Sequence, residues 1–197
     1  GGSVGGMLAL QFAVEFPDLA DEVIAIAAAP LSAMGLALNH IQRQATARGD
    51  IDIARKIALL SYRSPTEFTD KFGRKPNRNG EDPTAKFQDR FDVGGYLDHQ
   101  GAEFRKRFEL ESYELLTKAM DLFDLTDDEI RKVRSRISFI GISSDWLFPP
   151  ADIRALAARF AENGVDARYH ELRSDVGHDA FLTETDEITG ILGEILS

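Results

Sequence analysis

Gly1-Gly2-Ser3-Val4-Gly5-Gly6 opens the chain and decides how the rest is read. The hexad fits G-x-S-x-G, a strand-to-helix turn so tight that its serine takes strained backbone angles and its Oγ points out from the end of a sheet. Glycines flank the serine because a Cβ there would strike the neighbouring strand or helix. A helix is legible directly after it, in Met7, Leu8, Leu10, Gln11, Phe12, Val14 and Phe16, and Pro17-Asp18 stops it. Taken alone, the hexad reads equally as a loop whose serine caps a helix. The rest of the chain decides between the two.

Composition narrows the field. The chain has 197 residues, 43% hydrophobic and 28% charged, which suits one globular domain burying roughly 70% of its unfolded surface. A net charge of −10 argues against nucleic acid as a partner, since phosphate binding needs a basic face. It argues equally against an anionic membrane surface. With no cysteine, disulfides and a thiol nucleophile are excluded. No run approaches the ~20 apolar residues of a membrane span. The chain lacks an initiator Met and opens inside a motif that must follow a buried strand, so the expectation is a chain truncated at its N-terminal side.

Glu22 to Ala28 is a short apolar run between Asp21 and Pro30 and reads as a buried parallel strand. Strand signals then vanish from Leu31 to about Arg134. Leu36, Leu38, Ile41 and Ala45 mark one helix, and Ile53, Ile57 and Leu60, with Arg55-Lys56, mark a second. Ser64-Pro65-Thr66-Glu67 is a helix start, with Ser64 as N-cap, Pro65 at N1 and Glu67 closing a capping box. Phe72-Gly73 to Asp82-Pro83 is a loop; Tyr96–Phe108 and Ser112–Phe123 are further helices. Strand character returns at Ile137–Ile142. A helix from Ala151 to Asn163-Gly164, a strand at Ala167–Leu172, a loop at Ser174–Asp179 and a last helix from Ala180 to Leu196 follow. This alternation gives right-handed βαβ units and a parallel sheet. The expected organisation is an α/β core of residues 1–30 and 135–197, incomplete on its N-terminal side, with residues 31–134 inserted as a helical cap. An independent all-α domain is the alternative.

Ligands of parallel sheets bind beyond the carboxyl ends of the strands. Ser3, Asp145 and His178 each fall just past such an end, Ser3 by inference. They also occur in the order Ser…Asp…His of the α/β-hydrolase fold. Ser3 would attack an acyl carbonyl, His178 would take the hydroxyl proton, and Asp145 would fix the imidazole tautomer. Val4 N–H would supply one oxyanion donor, with the second expected from an upstream loop. His40 and His99 lie in helices and His170 in a strand, and read as structural or surface residues. No cluster has metal-ligand spacing, so no metal is expected, and no glycine loop fits a phosphate cradle.

The sequence resembles the homoserine O-acetyltransferase family of α/β-hydrolase acyltransferases over essentially its whole length. The resemblance rests on Gly2-Ser3-Val4-Gly5-Gly6-Met7, on Asn39 with Arg43-Gln44-Ala45, on Ala54 to Ser64 with its Tyr62-Arg63-Ser64, and on Tyr96 to Gly101. It continues through Thr117 to Asp121, Ser144-Asp145-Trp146-Leu147-Phe148-Pro149 and Gly177-His178-Asp179-Ala180-Phe181-Leu182. It implies the same triad and two substrate residues, Arg63 for the amino acid's carboxylate and Asp179 for its ammonium. It further implies a ping-pong transfer from acetyl-CoA, the acyl-donor substrate, to L-homoserine in methionine biosynthesis. It implies, too, that no cofactor is bound, that the cap excludes water and that a homodimer forms through the cap helices. A cytoplasmic location is expected, without nucleic-acid or membrane partners. Two departures stand out: only Thr46 to Ile53 fill a usually longer insertion, and His99 replaces a usual tyrosine. Succinyl in place of acetyl, serine in place of homoserine, an esterase with the same triad and a non-catalytic interaction module remain alternatives. Without an upstream oxyanion loop the chain alone is expected to be inactive, since one donor is worth ~10²–10³ in rate.

Overall fold

Helix α1 (Val4–Glu15) leads into β1 (Glu22–Ile26), and the computed structural model describes every residue from 1 to 197. Two further strands complete a parallel sheet, β2 (Arg136–Ile142) at its centre and β3 (Ala167–Leu172) at one side, with Ile24 opposite Ser138 and Ile140 opposite His170. All of β2 beyond Arg136 is buried, as expected for a strand covered on both faces. Its alternate residues serve different layers. Ile137 and Phe139 join Val23 and Ala25 against Met7, Leu10 and Val14 of α1 and against Ile153, Leu156 and Phe160 of α8 (Pro150–Glu162). Ile140 and Ile142 join Leu172, Ala180 and Ile188 on the opposite face. Ser138, on that second face, is buried because its hydroxyl donates to Glu22 Oε1 at 2.7 Å.

The N-terminal hexad is fastened to this sheet. Gly2 bridges Ile26 in parallel, and Ser3 N–H donates to Ile26 C=O at 2.8 Å. The elbow therefore sits at the carboxyl end of β1.

Six helices fill the chain between β1 and β2: α2 (Ala33–Thr46), α3 (Ile51–Tyr62), α4 (Pro65–Phe72), α5 (Asp92–Arg105), α6 (Leu110–Leu122) and the single turn α7 (Asp127–Ile130). Their own buried cluster is small: Ala45, Ile51, Ala54, Phe104 and Tyr113. Leu31, Leu38, Tyr62 and Met120 pack instead against the sheet's cluster, so these helices lean on the sheet and do not form a self-sufficient core. Leu125, Ile130 and Val133, which lie inside the 31–134 segment, belong to the sheet's core outright.

Several element boundaries move. Helix α5 starts at Asp92, ahead of the Tyr96 read from periodicity, because Gly94-Gly95 hides its first turn. Gly95 is needed there: a Cβ would stand 2.6 Å from Asn77 Oδ1. The Ser64 hydroxyl caps α4 by accepting from Glu67 N–H at 3.0 Å, but the Glu67 carboxylate turns to Arg63, so only half of the expected capping box forms. The full box appears at Thr126 and Glu129, where periodicity shows no helix. The last helix breaks at Glu184 into α9 (Ala180–Thr183) and α10 (Thr185–Leu196).

Candidate active site

Ser3 sits at φ 54° and ψ −127°, a left-handed conformation that L-residues hold only when surroundings enforce it, at a cost of order 1–3 kcal/mol. The enforcement is visible. Ser3 N–H is tied to β1, and Gly6 lets α1 approach the sheet so closely that a Cβ would meet Ala28 Cβ at 2.6 Å. The crowding expected on both sides of the serine does not extend to Gly5, where an added Cβ would have no atom within 4 Å. The tight glycine after the serine is thus the second of the pair. Val4 N–H, the first of the helix, donates to no backbone acceptor and lies at the positive end of α1.

Asp145 follows β2 and is 3% exposed. Its Oδ1 accepts from Leu147 N–H at 2.9 Å and Phe148 N–H at 3.0 Å, and its Oδ2 faces His178 Nδ1 at 2.7 Å. Two backbone donors on one oxygen leave the other committed to the imidazole, so Nδ1 carries the proton and Nε2 is free to accept one. His178 follows β3 and is likewise 3% exposed. Its ring lies among Tyr62 at 5.8 Å, Phe148 at 5.3 Å and, edge-on, Phe181 at 5.7 Å between centroids. Phe181 also reaches the elbow, where a Cβ at Gly2 would stand 2.5 Å from its ring. Histidine and elbow thus share one neighbour. Asp145 and His178 are hydrogen-bonded to each other; no hydrogen bond joins Ser3 to His178.

The two expected substrate residues meet each other. Arg63, the C-cap of α3, places Nε 3.4 Å from Asp179 Oδ2 and Nη1 3.3 Å from Glu67 Oε1. Burial raises the Asp179 carboxyl above the usual carboxylate range, with the Arg63 guanidinium the chief opposing influence. The Arg63–Asp179 pair carries no sequence signal, since 63 and 179 are far apart in the chain.

The histidine loop is sewn to the α3–α4 corner. Asp179 N–H donates to Tyr62 C=O at 3.0 Å and Ser64 N–H to Val176 C=O at 2.9 Å. The Ser64 hydroxyl donates to Asp175 C=O, and the Trp146 indole N–H to Arg63 C=O at 3.0 Å. Gly177, at φ 98°, permits this approach, since a Cβ would stand 2.5 Å from Ser64 N.

A cavity of about 180 Å³ lies beside the elbow, lined by Val4, Arg55, Tyr62, Phe104, Tyr113 and Leu147 among others. No three His, Asp or Glu residues come together in a group that could hold a metal ion. Of the other histidines, His40 and His99 are exposed on α2 and α5, and His170 Nε2 is buried in β3 without a partner.

Residues 1–185 match the family described as the alpha/beta hydrolase fold. The chain belongs to the α/β-hydrolase family. Within it, the resemblance read from the sequence is matched by curated relatives. The α/β-hydrolase chain is 38% identical to the homoserine O-acetyltransferase of Acidiphilium cryptum, over 93% of its own length and 55% of that protein's. It is 34% identical to that of Methanococcus vannielii, over 100% of its length and 44% of the relative's. It spans about half the length of the curated relatives it matches. Among solved structures, homoserine O-acetyltransferase from Bacillus anthracis superposes with TM-score 0.82 at 18% identity, covering 96% of this chain and 57% of that one. Esterase E22 superposes with TM-score 0.84 at 14% identity, over 98% and 59%. These two likenesses establish the fold alone, shared by a transferase and a hydrolase.

Proposed function

We propose that this chain carries the catalytic serine, acid and base of an acyl-CoA:L-homoserine O-acyltransferase, with acetyl-CoA as donor, acting in methionine biosynthesis. The observation that carries the proposal is the buried Asp145–His178 pair, with its Nδ1 committed, on the same sheet edge as a serine held at positive φ. The names of the relatives supply the substrates.

In the first half-reaction Ser3 Oγ attacks the thioester carbonyl while His178 Nε2 takes its proton, and Asp145 stabilises the imidazolium. Charge develops on the carbonyl oxygen, and the free Val4 N–H is the donor aimed at it. His178 returns the proton to the departing CoA thiolate, leaving an acyl-Ser3 ester. In the second half-reaction the homoserine hydroxyl, deprotonated by His178, attacks that ester and releases Ser3. The Arg63–Asp179 pair opens around the acceptor's zwitterion, Arg63 to its carboxylate and Asp179 to its ammonium. Residues 31–134 act as the cap that keeps water from the acyl-enzyme. The exposed Leu115 and Leu122 of α6 give that cap an apolar face suited to pairing two copies. No helix is long and apolar enough to cross a membrane, which fits the proposed cytoplasmic site of action.

A second reading, an esterase using the same residues, differs only in taking water as the acyl acceptor. The two separate in one assay. Full-length protein is mixed with acetyl-CoA with and without L-homoserine, and released thiol is followed. The acyltransferase reading expects release that depends on homoserine and disappears in Ser3→Ala. Release indifferent to the amino acid means a hydrolase, and turnover that survives Ser3→Ala ends both readings.

A further inference from the structure

Two Asn-Gly steps occur in the chain, Asn79-Gly80 and Asn163-Gly164, and the remaining asparagines, Asn39 and Asn77, are buried. An asparagine followed by glycine is chemically fragile, because the next backbone nitrogen can close on the side-chain amide when no Cβ obstructs it. The sequence treats the two steps alike; the structure separates them. Asn163 is the C-cap of α8, where its side-chain amide donates to Arg159 C=O at 2.9 Å and its own N–H is held by the last turn. Gly164 N–H, on the nitrogen that would attack, is engaged by Ala161 C=O at 3.0 Å.

Asn79 and Gly80 are both exposed, neither makes a hydrogen bond, and an added Cβ at Gly80 would have no atom within 4 Å. Their flanks, by contrast, are clamped. Asn77 N–H donates to Arg90 C=O at 3.0 Å, and its side-chain amide donates to Glu81 Oε1 at 2.7 Å. Arg90 N–H and Nε–H donate to Glu81 Oε2 at 2.6 and 3.0 Å. Residues 77 and 81 thus hold between them a tip that stands clear of the protein. There the amide side chain and the following nitrogen are free to turn toward each other.

We propose that Asn79 is a site of spontaneous deamidation and isoaspartate formation, singled out by the fold over Asn163. The nitrogen of Gly80 gives up its proton and bonds to Asn79 Cγ. The Cγ–Nδ2 bond breaks, ammonia leaves with a proton in exchange, and a cyclic imide is closed. Water then opens the imide. Attack at Cγ breaks its bond to nitrogen and leaves aspartate; attack at the backbone carbonyl carbon leaves isoaspartate, with the chain running through Cβ and Cγ. Both products carry a carboxylate where a neutral amide stood, which makes a chain of net charge −10 more acidic still. The proposal stands independently of the acyl-transfer reading.

The test incubates the full-length protein at mildly alkaline pH, folded in one arm and unfolded in urea in the other. Conversion at each asparagine is followed by mass spectrometry of its peptide, isoaspartate by its separate elution, and the intact protein by anion exchange. In the folded protein Asn79 should convert, and a more acidic species should appear with it. Asn163 should lag by roughly tenfold or more, since its hydrogen bonds must first open. In urea that protection is gone, and the two rates should come within about threefold of each other. Asn79→Gln, which would have to close a larger ring, should remove the acidic species. Equal rates at the two positions in the folded protein overturn the proposal, as does an Asn79 that converts in urea but not in the folded state. A lag of Asn163 that persists in urea overturns it too, by assigning the difference to local sequence, and so does an acidic species that survives Asn79→Gln.

Discussion

Replacing Asp145 by Asn changes a single atom, and the structure fixes which way the new amide must turn. Oδ1 accepts from Leu147 N–H and Phe148 N–H, whereas Oδ2 serves His178 alone. Turning the amide NH₂ toward the loop would set it against two donors, so the amide oxygen stays with the loop and the NH₂ faces the imidazole. Nδ1 must then accept, the proton moves to Nε2, and the atom that should deprotonate Ser3 already carries a hydrogen. Loss of the productive tautomer costs about 10⁴ in kcat, or roughly 5.5 kcal/mol of transition-state stabilisation at 1.36 kcal/mol per decade. The fold should suffer far less, about 1–3 kcal/mol for a weakened buried hydrogen bond. The assay is homoserine-dependent thiol release at saturating substrate. A thermal melt shows that the variant is folded, and ¹⁵N shifts of the His178 ring report which nitrogen holds the proton. A folded Asp145→Asn protein with kcat within tenfold of the parent, or with Nδ1 still protonated, would refute the argument.

Other substitutions probe neighbouring parts of the structure. Gly177→Ala places a Cβ 2.5 Å from Ser64 N at φ 98° and should cost over 2 kcal/mol, seen as a melting point lower by roughly 4–8 °C; an unchanged melt would mean that the corner contact is slack. Gly5→Ala, with no atom within 4 Å, should leave the melt unchanged or raise it slightly, whereas Gly6→Ala, facing Ala28 at 2.6 Å, should lower it. Burial holds the Asp179 carboxyl above its unfolded value of 3.8, so the folded state keeps this proton longer than the unfolded chain. Its contribution therefore falls as pH rises from about 4 through the raised value. Asp179→Asn should flatten the stability–pH curve in that window, and a curve identical to the parent's would contradict the assignment. Ser3→Ala should cut turnover by about 10⁴–10⁶, measured by the same thiol release.

Much of this was legible because it depends on local chemistry. The elbow needs small residues and a following helix, and both are written in residues 1–16. Strand β2 shows as an apolar run between turn residues, and β3 falls on the residues expected of it although its sequence is largely polar. Ser3, Asp145 and His178 could be singled out because a parallel sheet gathers whatever follows its carboxyl ends. The structure unites two of them by a hydrogen bond and leaves the third at the same edge. What stayed hidden depends on distant partners. Arg55 sits beside Lys56 in a helical pattern and looks like half of a solvated basic face; only the approach of Phe104 and Tyr62 makes it a half-buried cation between two rings. Glu67 looked like a cap residue, and a competing arginine took its carboxylate. Gly94-Gly95 masked the start of α5, because intrinsic propensity gives no account of the Asn77 side chain packed against it.

The seam between residues 62–64 and 175–179 has a bearing on how such a protein can diversify. The loop that carries His178 is suspended partly from a helical corner, since the backbone of residues 62–64 supplies both an acceptor to Asp179 and a donor to Val176. Helices elsewhere in residues 31–134 can lengthen, shorten or be exchanged while the imidazole keeps its place. A change that shifts the corner itself would drag His178 with it. The roof of the cavity is thus free to vary, but at this one hinge-like stitch it is tethered to the position of His178.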